Sequence, residues 1–159
     1  MIQGYVRPSV PTDPDKVAPI LREEDKAEID ATVGFEHSVA LGYAMQSCLL
    51  PLTMVDAQER PFGMFGVTTN HSVPGYGNIW LLSSNYLFEA KIPFIRQCRL
   101  WQEALEQPYA VVGNLVSEVN TKHVRWLKWL GYRFIARHPE FGFNKQPFLE
   151  FVRITKCAQ

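Results

Sequence analysis

The sequence predicts one α/β domain over residues 1–159, with a mixed, mostly antiparallel, twisted sheet of about seven strands flanked by about four helices. Three observations lead to this prediction. A chain of 159 residues corresponds to a single domain. Apolar, β-rich segments alternate with segments of helical periodicity along its whole length. No repeats, low-complexity tracts or long linkers interrupt that alternation.

The N-terminal part is predicted to be a strand followed by helices. Residues Tyr5–Val10 form an edge strand, because proline at position 8 is tolerated only at a sheet edge. A helix begins at Pro14, the favoured first position, with Thr12 and Asp13 as its cap. It continues through Leu21. Two further helices are predicted here: a charged, exposed one over Glu23–Val33, which Gly34 ends, and a short one over Ser38–Gln46.

The middle of the chain is predicted to form a three-stranded meander and a long helix. Leu49–Val55 and Phe62–Thr69 form a hairpin across the polar turn Asp56–Pro61, and a loop over His71–Gly77 leads to a strand at Asn78–Ser84. The long helix begins at Pro93 and places Phe94, Cys98, Trp101 and Leu105 on one face.

The C-terminal part repeats strand, helix and strand. Tyr109–Val116 is β-rich and apolar, and Gln146–Ile154 closes the sheet. Between them, Asn120 and Thr121 can cap a helix, and Gly131 can end it in the left-handed conformation. The helix directs Val124, Leu127 and Leu130 to the core, and the alternating residues from Tyr132 onwards predict a strand.

This C-terminal pattern resembles a known family. A valine-rich strand, an Asn-led helix and then Leu130-Gly131-Tyr132 resemble the C-terminal half of the GNAT superfamily of N-acetyltransferases, whose order of elements the whole chain follows. Arg7-Pro8 matches the opening of that family. The run Val119–Gly131, with the strand Ile79–Ser84 upstream, is similar to small proteins of T7-like podophages, which are internal virion, virion-assembly or GNAT-like proteins.

The resemblance implies where coenzyme A and the catalytic groups would lie. The turn that holds the pyrophosphate corresponds to Ser84–Pro93, which contains no glycine, and the usual tyrosine proton donor corresponds to Leu127. We therefore expect no cofactor, or acetyl-coenzyme A if the chain is an enzyme. By position, the candidate general bases are His71 and Glu36. The candidate cofactor contacts are Leu82, Ser83, Ser84, Lys91, Arg96 and Asn120.

Composition narrows the function classes. The net charge is zero, so a dedicated nucleic-acid binder is not expected. No apolar run of 18 residues predicts a membrane span, and the three cysteines predict reduced thiols. The histidines lack metal-ligand spacing, so no metal site is expected. Residues 1–60 are acidic and residues 120–159 basic, which predicts either mutual neutralisation or a basic patch. The expected location is the host cytoplasm or the virion.

The last predicted helix carries a candidate partner surface. Its basic and aromatic ridge suits an acidic, partly apolar protein such as another virion protein, or the acidic stretch Glu23–Asp30 of a second copy. His123 is predicted to be solvated on the same helix. The sequence thus favours a non-catalytic phage protein that acts in the virion or its assembly, with an active acetyl-coenzyme-A-dependent N-acyltransferase as the alternative. The ridge residues are Lys122, Arg125, Trp126, Lys128 and Trp129.

Overall fold

The structure is a computed structural model that describes residues 4–89 and 93–155, without the side chains of residues 93–96. Its strands are β1 (Tyr5–Pro8), β2 (Leu52–Val55), β3 (Pro61–Thr69), β4 (Tyr76–Ser83), β5 (Val111–Ser117), β6 (Arg133–Phe141) and β7 (Gln146–Ile154). Its helices are α1 (Asp13–Val17), α2 (Glu23–Thr32), α3 (His37–Gln46), α4 (Tyr86–Glu89), α5 (Pro93–Glu106) and α6 (Thr121–Trp129), with a 3-10 turn at Ala18–Ile20.

The seven strands form one sheet in the order β1-β2-β3-β4-β5-β7-β6. Among the described strands, only β4 and β5 pair in parallel, and every other neighbouring pair is antiparallel. This confirms the predicted α/β domain and its mixed, mostly antiparallel sheet. β1 lies at the edge, as Pro8 predicts.

Several element boundaries differ from the predictions for local reasons. The predicted helix through Leu21 divides into α1 and the 3-10 turn, where Pro19 cannot donate to a continuing helix. β2 begins at Leu52 rather than Leu49, because Leu49 and Leu50 are exposed beside Pro51. β5 begins at Val111 rather than Tyr109. With these divisions and the short α4, the described residues contain six α-helices rather than about four.

Side chains on the two faces of the sheet form two separate apolar clusters. One cluster joins Met64 of β3 to α1, α2 and α3, with Trp80 and Leu82 of β4 packed against it. The other joins Phe65 to α5, α6 and β7, with Ile79 and Leu81 of β4 packed against it. Neighbouring residues therefore alternate between the faces, as strand geometry requires.

Buried acids correct the prediction of an exposed, acidic N-terminal third. Asp13 does not cap α1; it accepts hydrogen bonds from the Arg7 guanidinium at 2.7 Å and from the Val10 N–H at 2.9 Å. Asp25 of α2 is fully buried and paired with Arg22, which is also buried. The acidic stretch is thus partly neutralised inside the fold and offers less charge to a second copy than its sequence predicts.

The cysteines, the described helices and the possible metal ligands were the subject of three further predictions. Cys48 and Cys98 are free thiols, as predicted, and Cys157 lies outside the described residues. None of the described helices is long and apolar enough to cross a membrane. Within residues 4–89 and 93–155, no group of three or more His, Cys, Asp or Glu side chains is arranged to hold a metal ion.

Candidate functional site

The site begins where β4 and β5 part. Their parallel pairing covers three residue pairs, from Tyr76–Val111 to Asn78–Gly113. Beyond these pairs the strands separate, although β4 continues to Ser83 and β5 to Ser117. Asn114 holds the point of separation, since its side-chain amide donates to the Ile79 carbonyl at 2.8 Å. The result is a V-shaped gap in the middle of the sheet.

Backbone groups of β4 face this gap at every second residue. The Ser84 N–H donates to Phe62 of β3 at 2.8 Å, so the even-numbered residues of β4 are directed towards β3. The Ile79 carbonyl is directed towards β5. The alternation of a strand therefore directs the N–H and C=O of Leu81 into the gap. An extended ligand that carries amide groups could form sheet-like hydrogen bonds there.

A cavity of about 470 Å³ passes through the sheet at the gap. It is lined by Trp80 and Leu82 from one face and by Ile79 and Leu81 from the other, so it connects the α2–α3 side with the α5–α6 side. Most of the other lining side chains are apolar or aromatic, among them Phe35, Tyr43, Trp101, Trp126, Leu127 and Phe151.

Glu28 of α2 is the carboxylate in this cavity. It accepts hydrogen bonds from the Ser117 N–H and from the Asn120 side-chain amide, each at 3.1 Å. The residue is half-buried, but its carboxylate is far enough from water that burial raises its pKa to about 7. The bond from Asn120 opposes the rise and the charge of Asp25 adds to it. A carboxylate with this pKa is suited to accept a proton near neutral pH.

Sequence reasoning missed Glu28, although a signal was present. Asp25, Glu28, Ile29 and Thr32 follow the i, i+3, i+4, i+7 spacing that defines one helix face. Asp25 and Ile29 are buried, so this is the inner face of α2. The density of charge in α2 obscured the pattern, because buried acids are rare unless they are paired.

His123 of α6 lines the same cavity and corrects another expectation. It is 8% exposed rather than solvated, and its ring lies 5.6 Å from that of Trp126. Burial, assisted by the charge of Arg22, lowers its pKa to about 3. His123 is therefore neutral at physiological pH and a poor proton acceptor. Glu28 is the better base of the two.

The two catalytic candidates from the sequence lie away from the cavity. His71 is exposed in the turn between β3 and β4. Glu36 is exposed and caps α3, where it accepts from the Ser38 N–H at 3.3 Å and from the Ser38 hydroxyl. Neither residue is among the described residues that line the gap, so the structure places both apart from the cavity, and a catalytic role for them stays a prediction. The position of a residue after a strand did not reveal which way the following turn would run.

The structure describes the side chains of four of the six predicted cofactor contacts, whose role stays a prediction. Leu82 lines the cavity, and the buried Asn120 binds Glu28 instead of capping α6. Ser83 and Ser84 are buried. The Ser83 N–H donates to Asp25 at 2.9 Å, and the Ser83 carbonyl accepts from the Arg22 N–H. Lys91 and the side chain of Arg96 lie outside the described residues.

One of the two aromatic residues of the predicted partner ridge does not lie on the surface. Trp126 is half-buried and lines the cavity, so it does not belong to an exposed surface. Trp129 is 43% exposed, and the Arg99 guanidinium stacks 4.4 Å from its ring centre. The basic residues Lys122, Arg125 and Lys128 are exposed. The ridge is therefore basic, with a single indole that an arginine already covers.

The structure also shows the surroundings of Leu127 and Tyr132, the two residues nearest to the expected position of a proton donor. Leu127 is 4% exposed and lines the cavity where the resemblance would place a tyrosine. The buried Tyr132 also lines the cavity, but its hydroxyl donates to Glu106, and burial raises its pKa. Of the two described tyrosines that line the cavity, Tyr132 is therefore engaged with Glu106, and Tyr43 lies exposed at the opening.

A seven-stranded sheet that parts at its single parallel seam, with helices on both faces, defines the GNAT fold. The chain has that fold, and solved GNAT N-acetyltransferases superpose on nearly all of it. Spermidine N-acetyltransferase from Vibrio cholerae, in complex with CoA and spermine, has a TM-score of 0.71 at 11% identity and covers 98% of both chains.

Two further structures show the same relationship. A GCN5-related N-acetyltransferase from Kribbella flavida has a TM-score of 0.69 at 16% identity, over 95% of this chain and 97% of that one. Ribosomal-protein-S5-alanine acetyltransferase from Vibrio fischeri has a TM-score of 0.68 at 12% identity, over 98% and 95%. No protein-family model and no curated protein matches the sequence. At these identities the likeness shows the fold alone.

Proposed function

We propose that this protein transfers an acyl group from a coenzyme A thioester to an amine. The observation that carries the proposal is the Glu28 carboxylate, which lies in the cavity where β4 and β5 part. The fold of solved acetyltransferases, one of them a complex with CoA, supports it. Glu28 supplies the proton acceptor that such a reaction requires.

The described residues fit the arm of the thioester better than its phosphate end. The Leu81 backbone faces the gap and can pair with the amides of a pantetheine arm. At the phosphate end, Ser84–Glu89 has no glycine, and the Phe88 ring lies under the Lys122 ammonium at 5.3 Å. Phosphate binding would therefore depend on cations such as Lys122 rather than on a glycine-rich loop.

The proposed reaction transfers one acyl group and removes two protons from the acceptor nitrogen. Glu28 takes a proton from the ammonium of the acceptor, and the free amine attacks the thioester carbonyl. The carbon–nitrogen bond forms as the carbon–sulfur bond breaks, and the thiolate leaves. The second proton of the nitrogen passes to water and the thiolate is protonated from water, because Leu127 occupies the position of the acid. We expect a modest turnover, since a positioned acid contributes roughly 10²–10⁴-fold in rate.

A titration and a kinetic assay test the proposal. Acetyl-coenzyme A should bind in calorimetry, and added amine should release free thiol. Glu28→Gln keeps an acceptor oxygen for Asn120 and Ser117 but cannot take the proton, so it should lower kcat/KM by at least about 100-fold and leave thioester binding unchanged. Glu36→Gln is the matched control, because Glu36 is exposed and outside the cavity.

The pH profile provides a further check. Glu28 must be ionised to act, so kcat/KM of the wild type should rise with pH and level off above about 7. A profile that is flat between pH 5 and 8, or equal activity in Glu28→Gln and wild type, would contradict the assignment of the base.

A second candidate function is protein binding without catalysis. It is favoured by the glycine-free segment after β4 and by the buried Leu127 in place of a proton donor. A role as a phage virion component or assembly factor, in the virion or the host cytoplasm, stays a prediction, because the comparisons do not bear on phage origin. The same titration separates the candidates. A dissociation constant for acetyl-coenzyme A tighter than about 10 μM, near −7 kcal/mol, supports the enzyme.

A further inference from the structure

The acceptor amine must reach Glu28, which belongs to α2. The part of the cavity beside this carboxylate is therefore the α2–α3 side of the sheet, opposite α5 and α6. The side chains that line this part include Val33, Phe35, Ala40, Tyr43, Ala44 and Trp80, which are apolar or aromatic, together with Thr32 and Thr68. Besides the Tyr43 hydroxyl, their polar groups are uncharged and already donate hydrogen bonds: the Thr32 hydroxyl to the Glu28 carbonyl, the Thr68 hydroxyl to the Asn78 carbonyl and the Trp80 ring N–H to the Cys48 sulfur.

The described lining of the cavity carries charge on a single group. Among the described lining residues, Glu28 is the only one that is charged near neutral pH, because His123 is neutral. Asp30 lies at the exposed end of α2, but its carboxylate is 2.9 Å from the His37 ring nitrogen. Glu36 caps α3. The cavity can therefore neutralise one ammonium group and no more.

The opening of the cavity is also apolar. Phe35 and Tyr43 line it and are 52% and 68% exposed, which is unusual for aromatic side chains that serve only the core. Val33, between α2 and α3, extends the same surface. A ligand that enters from this side passes aromatic rings before it reaches the carboxylate.

We propose that the acceptor is a small primary amine with one positive charge, carried on an aromatic or aliphatic body, whose nitrogen meets Glu28 while its body packs against Trp80, Phe35 and Tyr43. This inference rests on the proposed function and names its substrate class. A polyamine is disfavoured, because each additional ammonium would be buried without a carboxylate. A small polar amine is disfavoured, because it leaves the aromatic surface in contact with water.

Competing acceptors test the substrate class. With acetyl-coenzyme A held constant, thiol release should be measured for 2-phenylethylamine, spermidine, ethanolamine and a short peptide with a free N-terminus. We expect kcat/KM for 2-phenylethylamine to exceed each of the others by at least about tenfold, the discrimination that apolar contacts provide. Faster reaction of spermidine, ethanolamine or the peptide overturns the inference and leaves the proposed function standing.

A charge variant makes the test specific to this surface. Tyr43→Glu places a second carboxylate at the mouth, where the exposed position tolerates it. It should raise kcat/KM for spermidine and lower it for 2-phenylethylamine. Leu49→Glu is the matched control, because Leu49 is 71% exposed and outside the cavity, and it should change neither value. A Tyr43→Glu variant that folds and keeps the wild-type preference overturns the inference.

Binding gives a readout that does not require turnover. A change in tryptophan fluorescence should report the binding of 2-phenylethylamine in the cavity, which Trp80, Trp101 and Trp126 line. If no amine releases thiol and acetyl-coenzyme A does not bind, the proposed function fails. In that case the surface would still select the same amine as a ligand if 2-phenylethylamine binds at least about tenfold more tightly than spermidine, and equal binding of the two would overturn the selectivity as well.

Discussion

Glu28 and His123 line one cavity, and burial acts on them in opposite directions. Burial disfavours the charged form of each group, so it raises the pKa of the acid to about 7 and lowers the pKa of the base to about 3. Both groups are therefore close to neutral over much of the acid range. Of the two side chains, Glu28 is therefore the one suited to be the base of the proposed reaction.

The raised pKa of Glu28 makes stability depend on pH. Its ordinary pKa is 4.5, so between about pH 4.5 and 7 the folded state holds the proton more tightly than the unfolded chain. Stability therefore falls as pH rises through that window. Glu28→Gln removes this effect. The free energy of unfolding of the variant, relative to that of the wild type, should therefore increase by about 1–2 kcal/mol when the pH is raised from 4 to 8, a figure reduced because Glu28 is partly exposed to solvent.

Chemical denaturation of both proteins at the two pH values measures the difference. Glu36→Gln serves as a control of opposite sign, because the hydrogen bonds that Ser38 donates lower the pKa of the exposed Glu36 carboxyl, so its removal should not abolish a fall in stability with rising pH. His123 contributes the opposite slope, since its lowered pKa costs stability as pH falls below about 6.5. An unchanged difference between wild type and Glu28→Gln at pH 4 and 8 would mean that the carboxylate is well solvated.

At the residue scale the sequence predicted buried positions better than it predicted the site. Leu127 was assigned correctly because α6 has a clear apolar periodicity. Glu28, Asp25 and His123 were assigned to solvent, because a polar side chain signals burial only through its partners. Some of those partners lie far along the chain, as Asn120 does from Glu28 and Ser83 from Asp25, and one sequence does not show such pairs.

Helix α6 offers a test at the scale of an element. Leu127 is buried between α6 and the sheet and borders the cavity, so Leu127→Ala should destabilise the fold by about 2–3 kcal/mol, in the lower part of the range for such truncations. Urea denaturation measures the loss. Lys128→Ala, exposed on the same helix, should change stability by less than about 0.5 kcal/mol. A similar small value for Leu127→Ala would show that α6 does not pack as described.

The outer face of α6 gives a separate test of partner binding. Trp129 and Arg125 are exposed, so the double variant Trp129→Ala with Arg125→Glu should leave the circular dichroism spectrum unchanged. If the ridge binds a partner through its basic surface and its one indole, the same variant should weaken that association by about tenfold or more. Size-exclusion chromatography of the protein alone tests self-association. Trp126→Ala is not an equivalent variant, because it enlarges the cavity. Undiminished association would show that the ridge is only a solvated face.

Elements were predictable where local chemistry determines them. As predicted, α5 begins at Pro93 and Gln146–Ile154 is a strand. Gly131 follows the end of α6 in the predicted left-handed conformation, with a φ of +91°. The gap between β4 and β5 could be inferred only by analogy, because the separation of two strands depends on residues that pair across the sheet. The pattern of each strand alone is compatible with continuous pairing.

At the scale of the whole molecule, a ligand in the gap should stabilise the fold. A thioester that binds only the folded state adds RT ln(1 + [L]/Kd), or about 2.7 kcal/mol at 100 times Kd. Thermal unfolding with and without acetyl-coenzyme A measures this shift. Asn114→Ala removes the hydrogen bond at the vertex of the gap and should reduce the shift by weakening binding. An unfolding midpoint that does not change at saturating thioester would contradict ligand binding in the gap.

The short pairing of β4 with β5 also has a mechanical consequence. β1 lies at one edge of the sheet and β7 next to the other, so a force applied between Tyr5 and Ile154 crosses the sheet strand by strand. Of the pairs that it crosses, β4–β5 has three registered residue pairs, against four in β1–β2 and seven in β5–β7. Under tension, β4 and β5 should therefore separate before the other strand pairs, and a ligand that bridges both strands would increase the force needed to separate them.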